Sequence, residues 1–275
     1  MSGPSARLPT QVQLFTTCLV EHLRPRVGMA VVSVLERAGC DVRYPDGQTC
    51  CGQPAFNAGA WEDAAAMARH TVDVLTPAEG AVVVPSGSCA DMIVHHVPRL
   101  LGDDAAYGPR ARALAARTFE FTQYLALTGA SFSPPALVPA VARATAGDES
   151  APMSPAVHYH ASCHLLRGLG VREQPLALLR AATGGSCAPL PDAEECCGFG
   201  GLFALKMSEI SAAMLARKLD HVAACGARTL VACDVGCLLH LEGGLRRRPS
   251  RTAVAHVAEV LAQAEVAPAR PESPR

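Results

Sequence analysis

Cysteine is the residue type in this sequence with the clearest capacity for chemistry, since twelve occur in 275 residues. Eight of them form two sets of four that repeat at offsets of 145 to 148 residues, and each set contains an adjacent pair followed by glycine. The first set is Cys18, Cys50, Cys51 and Cys89, and the second is Cys163, Cys196, Cys197 and Cys237. A registered repeat of this kind indicates two copies of one thiolate site.

Metal binding is the chemistry that suits four thiolates. Thiolate sulfur is a soft anionic donor, and four cysteines are the usual requirement of a 2Fe–2S or a 4Fe–4S cluster. Within each set, 31 or 32 residues separate the first cysteine from the adjacent pair, and 37 or 39 separate that pair from the last cysteine. The ligands must therefore come from three separate loops. We therefore predict one iron–sulfur cluster in each half. Gly52 and Gly198 are predicted to be cofactor-binding, because glycine removes a side chain where the backbone passes close to a bulky group.

Zinc and simple packing are the alternatives for these thiols. Four thiolates also satisfy tetrahedral zinc, although structural zinc sites usually pair cysteines only about two to four residues apart. Zinc in one half beside a cluster in the other therefore stays open, as does a zinc-stabilised assembly protein without catalytic activity. The four remaining cysteines fall outside the register or match it only loosely, and buried packing is predicted for them. They are Cys40, Cys187, Cys225 and Cys233.

A repeating order of strands and helices is predicted to position the cysteines. Strands are predicted at residues 12–16, 82–84, 157–159 and 229–231, and helices at residues 28–38, 61–75, 175–182 and 205–224. Each strand leads into a loop that carries cysteine, and alternation of strand and helix is typical of a mainly parallel sheet. The predicted fold class is α/β, with two repeated α/β lobes. Each lobe has a mainly parallel sheet and a Cys-Cys-Gly cysteine cluster at the sheet edge.

Changes in composition mark the domain boundaries. Residues 131–155 are rich in proline, alanine, serine and glycine, which is typical of a mobile connection. We predict a first cysteine-rich domain at 10–130, a linker at 131–155, a second cysteine-rich domain at 156–262 and a disordered tail at 263–275. One last helix is predicted at residues 253–262.

Overall composition excludes several classes of function. A net charge of -1 with 18% charged residues provides no electrostatic surface for nucleic acid or anionic membrane. The first residues lack the apolar core of a secretory signal, and no apolar run is long enough to span a bilayer, so we predict a cytoplasmic protein. Disulfides are disfavoured in that reducing compartment. The sequence has no dinucleotide or P-loop motif, so the hydride acceptor of any substrate oxidation is expected in another protein.

Histidines are the other residues near the cysteines that can take part in chemistry. His160 and His164 flank Cys163, and each is compatible with a metal ligand, a proton carrier or a hydrogen-bonded structural group. Three further histidines follow the last cysteine of a half, and their simplest interpretation is a helix surface. They are His95, His96 and His240.

Six segments of the sequence resemble a known family. They are LFTTCLVEHLRPRVGMA, CCGQPAFNAG, PSGSCADM, YHASCHLLRGLGVREQP, CCGFGGLFALKMSEIS and GCLLHLEGGL. Together they resemble the lactate utilization protein A family, and the resemblance covers residues 12–262. At the cysteines alone, the paired halves are also similar to the cysteine-rich subunit of heterodisulfide reductase and to the iron–sulfur subunit of glycolate oxidase.

The closer resemblance implies a three-protein iron–sulfur assembly that oxidises L-lactate to pyruvate. This chain would be an electron-transfer subunit, and its partners would be the other iron–sulfur subunits. The distant resemblances imply two alternatives, glycolate oxidation and heterodisulfide-type thiol–disulfide reduction.

A departure from the distant relatives bears on the cluster type. In the cysteine-rich subunit of heterodisulfide reductase the halves typically close with C-x-x-C, whereas this chain has Ser86-Gly-Ser-Cys89 and Asp234-Val-Gly-Cys237. Cys233 lies one residue before the matching position. The missing thiolate favours ordinary 4Fe–4S clusters over the non-cubane clusters associated with that relative.

Replacing Cys51 or Cys197 by serine is expected to lower the iron content per chain, because a hydroxyl is a much poorer iron ligand than a thiolate. Cys225→Ser is the control, since Cys225 has no counterpart in the first half and should lose only about 1 kcal/mol of packing energy. Iron analysis and lactate-dependent growth measure the effect. Equal losses in all three variants, or no loss in any, would contradict this grouping of the cysteines.

Overall fold

The computed structural model describes residues 10–135 and 156–268, and two parallel β-sheets lie at its centre. The strands are β1 (Gln11–Leu14), β2 (Asp41–Arg43), β3 (Ala81–Val84), β4 (Thr118–Glu120), β5 (Ser131–Ser133), β6 (Val157–His160), β7 (Cys187–Pro189), β8 (Thr229–Ala232), β9 (Ala253–His256) and β10 (Glu265–Ala267).

Helices connect the strands in both halves of the chain. In the first half they are α1 (Cys18–Leu23), α2 (Pro25–Arg37), α3 (Gln53–Asn57), α4 (Trp61–Leu75), α5 (Gly87–Asp91), a π-helical turn (Met92–His96), α6 (Val97–Leu100), α7 (Gly108–Ala116) and α8 (Phe121–Thr128). In the second half they are a π-helical turn (His164–Gly168), α9 (Gln174–Ala182), α10 (Leu202–Lys206), α11 (Ser208–Ala224), α12 (Val235–Leu245) and α13 (Val257–Gln263). Across both described ranges, no helix combines the length and apolarity needed to cross a bilayer.

The two halves have the same topology. The first lobe is built on a sheet of strand order β2-β1-β3-β4, the second lobe on a sheet of order β7-β6-β8-β9, and every neighbouring pair in both is parallel. The central strand β3 reads Ala-Val-Val-Val and is buried at all four positions, as expected for a parallel strand covered by helices on both faces. The predicted α/β class with two repeated lobes is confirmed.

One hydrophobic core extends across both lobes. Val31 and Leu35 of α2 belong to the same buried cluster as Leu179 of α9 and Leu261 of α13. The α2 and α13 helices pack against each other, and Arg37 of α2 donates hydrogen bonds to backbone carbonyls at the end of α13, at 2.7 and 2.9 Å. Burial of this shared apolar surface means that neither lobe has a complete core alone.

The predicted linker and the predicted disordered tail each contain a short strand near their first residue. Strands β5 and β10 pair antiparallel, with Phe132 opposite Val266, although the sequence predicts these residues in the linker and in the disordered tail. Phe132 is buried between exposed serines, so its alternating pattern stabilises a strand despite the polar composition around it. The remainder of both segments, residues 136–155 and 269–275, lies outside the described residues.

Two predicted helices also differ from the structure. The segment predicted as one helix at 253–262 begins as β9, because four of its residues pair with β8 as the edge of the second sheet. The helix predicted at 205–224 begins earlier and is divided at Met207, which separates α10 from α11. The prediction of 61–75 coincides with α4.

A polar contact joins equivalent helix ends of the two lobes. Asp234 caps α12 by accepting a hydrogen bond from the backbone N–H of Gly236 at 3.0 Å. Its second carboxylate oxygen accepts from the Ser86 hydroxyl at 3.1 Å and from the Ser88 backbone N–H at 3.0 Å in the first lobe. Ser86 is the capping residue of α5, the counterpart of α12. The two cysteine-bearing helices therefore meet end to end through buried hydrogen bonds.

A buried carboxyl lies close to this interface. Glu120 has no exposed surface and caps α8 by accepting from the backbone N–H groups of Thr122 and Gln123. Burial raises the pKa of Glu120 to about 7, the hydrogen bonds from Thr122 and Gln123 oppose that rise, and the Asp234 charge adds to it. The equivalent cap of α13 is His256, which is also fully buried, and burial lowers its pKa to about 4.

The free energy of unfolding of Glu120→Gln is expected to rise relative to that of the parent protein as the pH increases from about 4.5 to 7. In this window the folded parent binds a proton on Glu120 that the unfolded chain has lost, so its stability falls with rising pH. Glutamine keeps the capping oxygen and cannot ionise, and the difference in unfolding free energy should grow by up to about 3 kcal/mol. Urea denaturation at several pH values measures it. The exposed Glu36→Gln is the control, and a flat difference for Glu120→Gln would contradict the prediction.

Candidate metal centre

The eight registered cysteines all line one cavity of about 170 Å³ between the lobes. Cys18 and Cys163 follow β1 and β6, the two adjacent pairs lie in the loops after β2 and β7, and Cys89 and Cys237 lie on the helices after β3 and β8. Because the carboxyl ends of parallel strands meet at one edge of a sheet, residues far apart in sequence converge there. The sequence predicted this convergence within each lobe, and the structure shows both lobes opening onto a shared space.

Sulfur atoms lie close together within each set. The Sγ atoms of Cys51 and Cys89 are 3.3 Å apart, and the equivalent Cys197 and Cys237 are 3.2 Å apart. Cys163 and Cys196 are 4.0 Å apart. These separations allow several thiolates of one lobe to bind a single metal centre.

Burial divides each set in the same way. One cysteine of each adjacent pair and the helix cysteine are buried, whereas the other two are half-buried. The buried members are Cys51, Cys89, Cys197 and Cys237, and the half-buried members are Cys18, Cys50, Cys163 and Cys196. A group bound here would be shielded on its inner side and reachable on its outer side.

The thiols of each lobe share protons unequally. Hydrogen bonds from the Cys18 and Cys51 thiols lower the pKa of Cys50, and the same bonds raise the pKa of both donors. Hydrogen bonds from the Cys163 and Cys197 thiols lower the pKa of Cys196 in the same way. Metal binding at these thiols would displace the protons that they share.

Gly52 and Gly198 are required by chain packing. Their φ angles are +88° and +90°, a region that favours glycine. A Cβ at Gly198 would lie 2.7 Å from the backbone oxygen of Ser211, and one at Gly52 would lie 3.3 Å from the Cβ of Met67. Each glycine thus lets the cysteine loop approach the following long helix. The Gly198 backbone N–H also donates to the Cys196 sulfur at 3.4 Å, so this turn directs a donor at the site.

The two histidines beside Cys163 occupy different environments. His164 lines the cavity, and its Nδ1 lies 3.6 Å from the Cys163 Sγ. His160 is fully buried behind the cavity, with a ring nitrogen and the sulfurs of Cys197 and Cys237 all within 4.8 Å of one another. Among the described residues, neither ring nitrogen of His160 has a hydrogen-bond partner.

The histidines that follow the last cysteines differ from a simple helix surface. His95 is half exposed, but His96 lies against the ring of Phe56 with 4.4 Å between ring centroids. Both approach the buried Asp91 carboxylate, at 3.9 and 3.7 Å. His240 lies 3.3 Å from the Ser211 hydroxyl.

The cysteines predicted to be structural do not belong to the described residues that line the cavity. Cys40 and Cys233 are buried, and their sulfurs contact the hydroxyl groups of Tyr124 and Tyr159 at 3.9 and 3.6 Å. The sulfur of Cys225 contacts the Val222 carbonyl at 3.4 Å.

Sequence reasoning missed the polar groups that share the cavity. Ser86, Ser162 and Asp234 line it beside the cysteines. A signal was present, because Ser86 and Asp234 each stand three residues before the last cysteine of a set, where a serine or aspartate caps a helix. Their contact across the lobes depends on tertiary packing.

Comparison with known proteins identifies the repeated unit. The model of the cysteine-rich domain family named CCG matches residues 12–94 and 157–242, which contain the two cysteine sets.

Full-length relatives are also similar to the chain. Lactate utilization protein A 2 of Bacillus cereus (strain 03BB102) is 39% identical over 253 residues, covering 92% of this chain and 98% of the relative. Lactate utilization protein A of Shouchella clausii (strain KSM-K16) is 41% identical over 250 residues, covering 91% and 98%. Lactate utilization protein A 2 of Bacillus anthracis (strain A0248) is 39% identical over 254 residues, with coverage of 92% and 98%.

Gly198→Ala is expected to destabilise the protein by about 2 to 4 kcal/mol, because it adds a clash with α11 to the strain of a positive φ. Gly59→Ala is the matched control. Gly59 has a φ of +79°, and a methyl group added there would meet no atom of the described residues within 4 Å, so strain alone should cost about 1 kcal/mol. Chemical denaturation measures both variants, and equal losses would show that close packing of the loop is unimportant.

Proposed function

The chain belongs to the lactate utilization protein A family and carries two cysteine-rich CCG domains, and we propose that it is an iron–sulfur electron-transfer subunit of a system that oxidises L-lactate. The observation that carries this proposal is the convergence of two sets of four thiols on one cavity. The relatives' name supports the lactate assignment. The partners we propose are the other iron–sulfur subunits of that system.

The donor set fits the proposed cofactor. Each lobe offers four cysteine sulfurs, which is the ligand number and type that an iron–sulfur cluster requires. The residues that would hold the two clusters are Cys18, Cys50, Cys51 and Cys89 in the first lobe and Cys163, Cys196, Cys197 and Cys237 in the second. When bound, such clusters accept and release electrons one at a time.

The chain's own residues prepare the site for this role. The Gly198 backbone N–H donates to Cys196, which stabilises negative charge on sulfur. Four of the cysteines are buried and four are half-buried, so a bound group would be shielded on one side and open on the other to an electron-exchange partner. Oxidation of L-lactate to pyruvate releases two electrons and two protons, so two one-electron sites in one subunit suit the reaction.

Zinc is the second candidate for these sites. In a tetrahedral four-thiolate zinc site, a metal–sulfur distance of about 2.3 Å places the sulfurs about 3.8 Å apart. The three sulfur–sulfur separations within the lobes, 3.2 to 4.0 Å, span that value. A zinc-stabilised subunit would support assembly and would carry no electrons.

Protein purified without oxygen is expected to contain iron and acid-labile sulfide, because the eight thiols form two four-ligand sets. Metal and sulfide analysis measures this directly. Mixing with the other subunits and L-lactate should then produce the electron paramagnetic resonance signal of reduced clusters, and glycolate should not. Zinc without iron after full reconstitution would overturn the iron–sulfur assignment. Reduction of the clusters by glycolate but not by L-lactate would overturn the lactate assignment.

A further inference from the structure

The two lobes differ at matched positions around their cysteines. His160 and Phe15 each stand three residues before the first cysteine of a set, at the end of equivalent strands. Phe15 is buried in a cluster with Cys51 and Cys89, as His160 is buried beside Cys197 and Cys237. A protic side chain in the second lobe therefore replaces an apolar ring in the first.

A second difference lies on the long helix behind each cysteine loop. Gly198 approaches Ser211 and Met214 of α11, and Gly52 approaches Ala64 and Met67 of α4, so the two helices align at an offset of 147 residues. In this alignment Lys218 of α11 is equivalent to Thr71 of α4. Both side chains are buried, but only Lys218 carries a cationic group.

Lys218 is held in place by the backbone of the loop that leads to Cys196. Its ammonium donates to the Asp192 backbone oxygen at 2.6 Å, which fixes the charged end of the side chain in the protein. Leu215 and Leu219, which flank Lys218 on α11, belong to the same buried cluster as Cys197 and Cys237. Burial lowers the pKa of Lys218, and the nearby charges of Glu195 and Asp192 oppose that shift. The first lobe has a threonine hydroxyl at the equivalent position.

His160 lacks any protein partner for its N–H among the described residues. A buried unpaired N–H costs about 1 to 3 kcal/mol, and such a group is usually satisfied by a ligand or an ordered water. Within the described part of the chain, the potential metal-ligand atoms grouped with it are the sulfurs of Cys197 and Cys237. The imidazole is therefore placed to donate a hydrogen bond to sulfur at the second metal centre.

We propose that the two centres are inequivalent, with His160 supplying a hydrogen bond and Lys218 a positive charge that each raise the reduction potential of the second-lobe centre. This inference rests on the proposed iron–sulfur content. Hydrogen bonds to sulfur and positive charge nearby stabilise the more negative, reduced form of a cluster and so raise its potential. The difference in potential sets the direction in which one electron passes between the two centres, one of which is oxidised as the other is reduced.

Redox titration of the full-length protein, followed by electron paramagnetic resonance, tests the proposal. The parent protein should show two midpoint potentials, and the single-cluster variants Cys51→Ser and Cys197→Ser assign each potential to a lobe. His160→Phe copies the first lobe, and it should lower the second-lobe potential by at least about 59 mV, a tenfold change for a one-electron couple. The first-lobe potential should stay unchanged.

Three further variants make the test specific. His160→Gln retains an N–H donor and should keep most of the parent potential, and Phe15→His should raise the first-lobe potential. Lys218→Met should lower the second-lobe potential while leaving His160 in place, which keeps the test available if His160→Phe fails to fold. His158→Gln is the control, because His158 lies two residues earlier on the same strand and outside the group formed by His160, Cys197 and Cys237.

The outcomes separate this inference from the proposed function. Two iron–sulfur clusters with equal potentials, or potentials unmoved by His160→Phe and Lys218→Met, would overturn the inference and leave the iron–sulfur assignment intact. Loss of iron from His160→Phe with normal folding would also overturn it, because His160 would then be a ligand. A parent protein that binds no iron would instead refute the proposed function.

Discussion

The hydrogen bonds between Asp234 and the first-lobe residues Ser86 and Ser88 hold together the two helix ends that carry Cys237 and Cys89. A buried carboxylate is costly unless its oxygens are paired, and here each oxygen accepts at least one hydrogen bond. The orientation of the lobes is thereby coupled to capping of both helices. The shared cavity exists because this contact brings the third cysteine loop of each lobe to the same place.

Apolar packing joins the lobes over a larger area than the polar contact at Asp234. The α2 and α13 helices bury a core common to both lobes, and the β5–β10 pair closes the same side of the molecule. Separation of the lobes would expose this surface and divide the cavity. We therefore expect both halves to fold as one unit, which keeps the two sets of cysteines at a constant separation.

The asymmetry of the site comes from side chains, because the backbone around the cysteines is repeated. The backbone constraints are repeated, since Gly52 and Gly198 share a positive φ and a close helix neighbour. The side chains behind the cysteines are not repeated, because Phe15 and Thr71 have His160 and Lys218 as counterparts. The placement of the cysteines is thus shared by the lobes, while the charged and polar side chains behind them differ.

The offsets between cysteines were enough to predict which thiols are grouped, because a duplicated chain repeats its strand and loop lengths. The parallel sheets were also predictable, from short β-prone runs that lead into the cysteine loops and alternate with helices. Sequence spacing carries no record of contacts between the lobes, so the single cavity, the Asp234 contact and the β5–β10 pair emerged only from long-range packing. His160 illustrates the division. Its closeness to Cys163 was evident in the sequence, but its placement within 4.8 Å of the Cys197 and Cys237 sulfurs depends on contacts between segments that are distant along the chain.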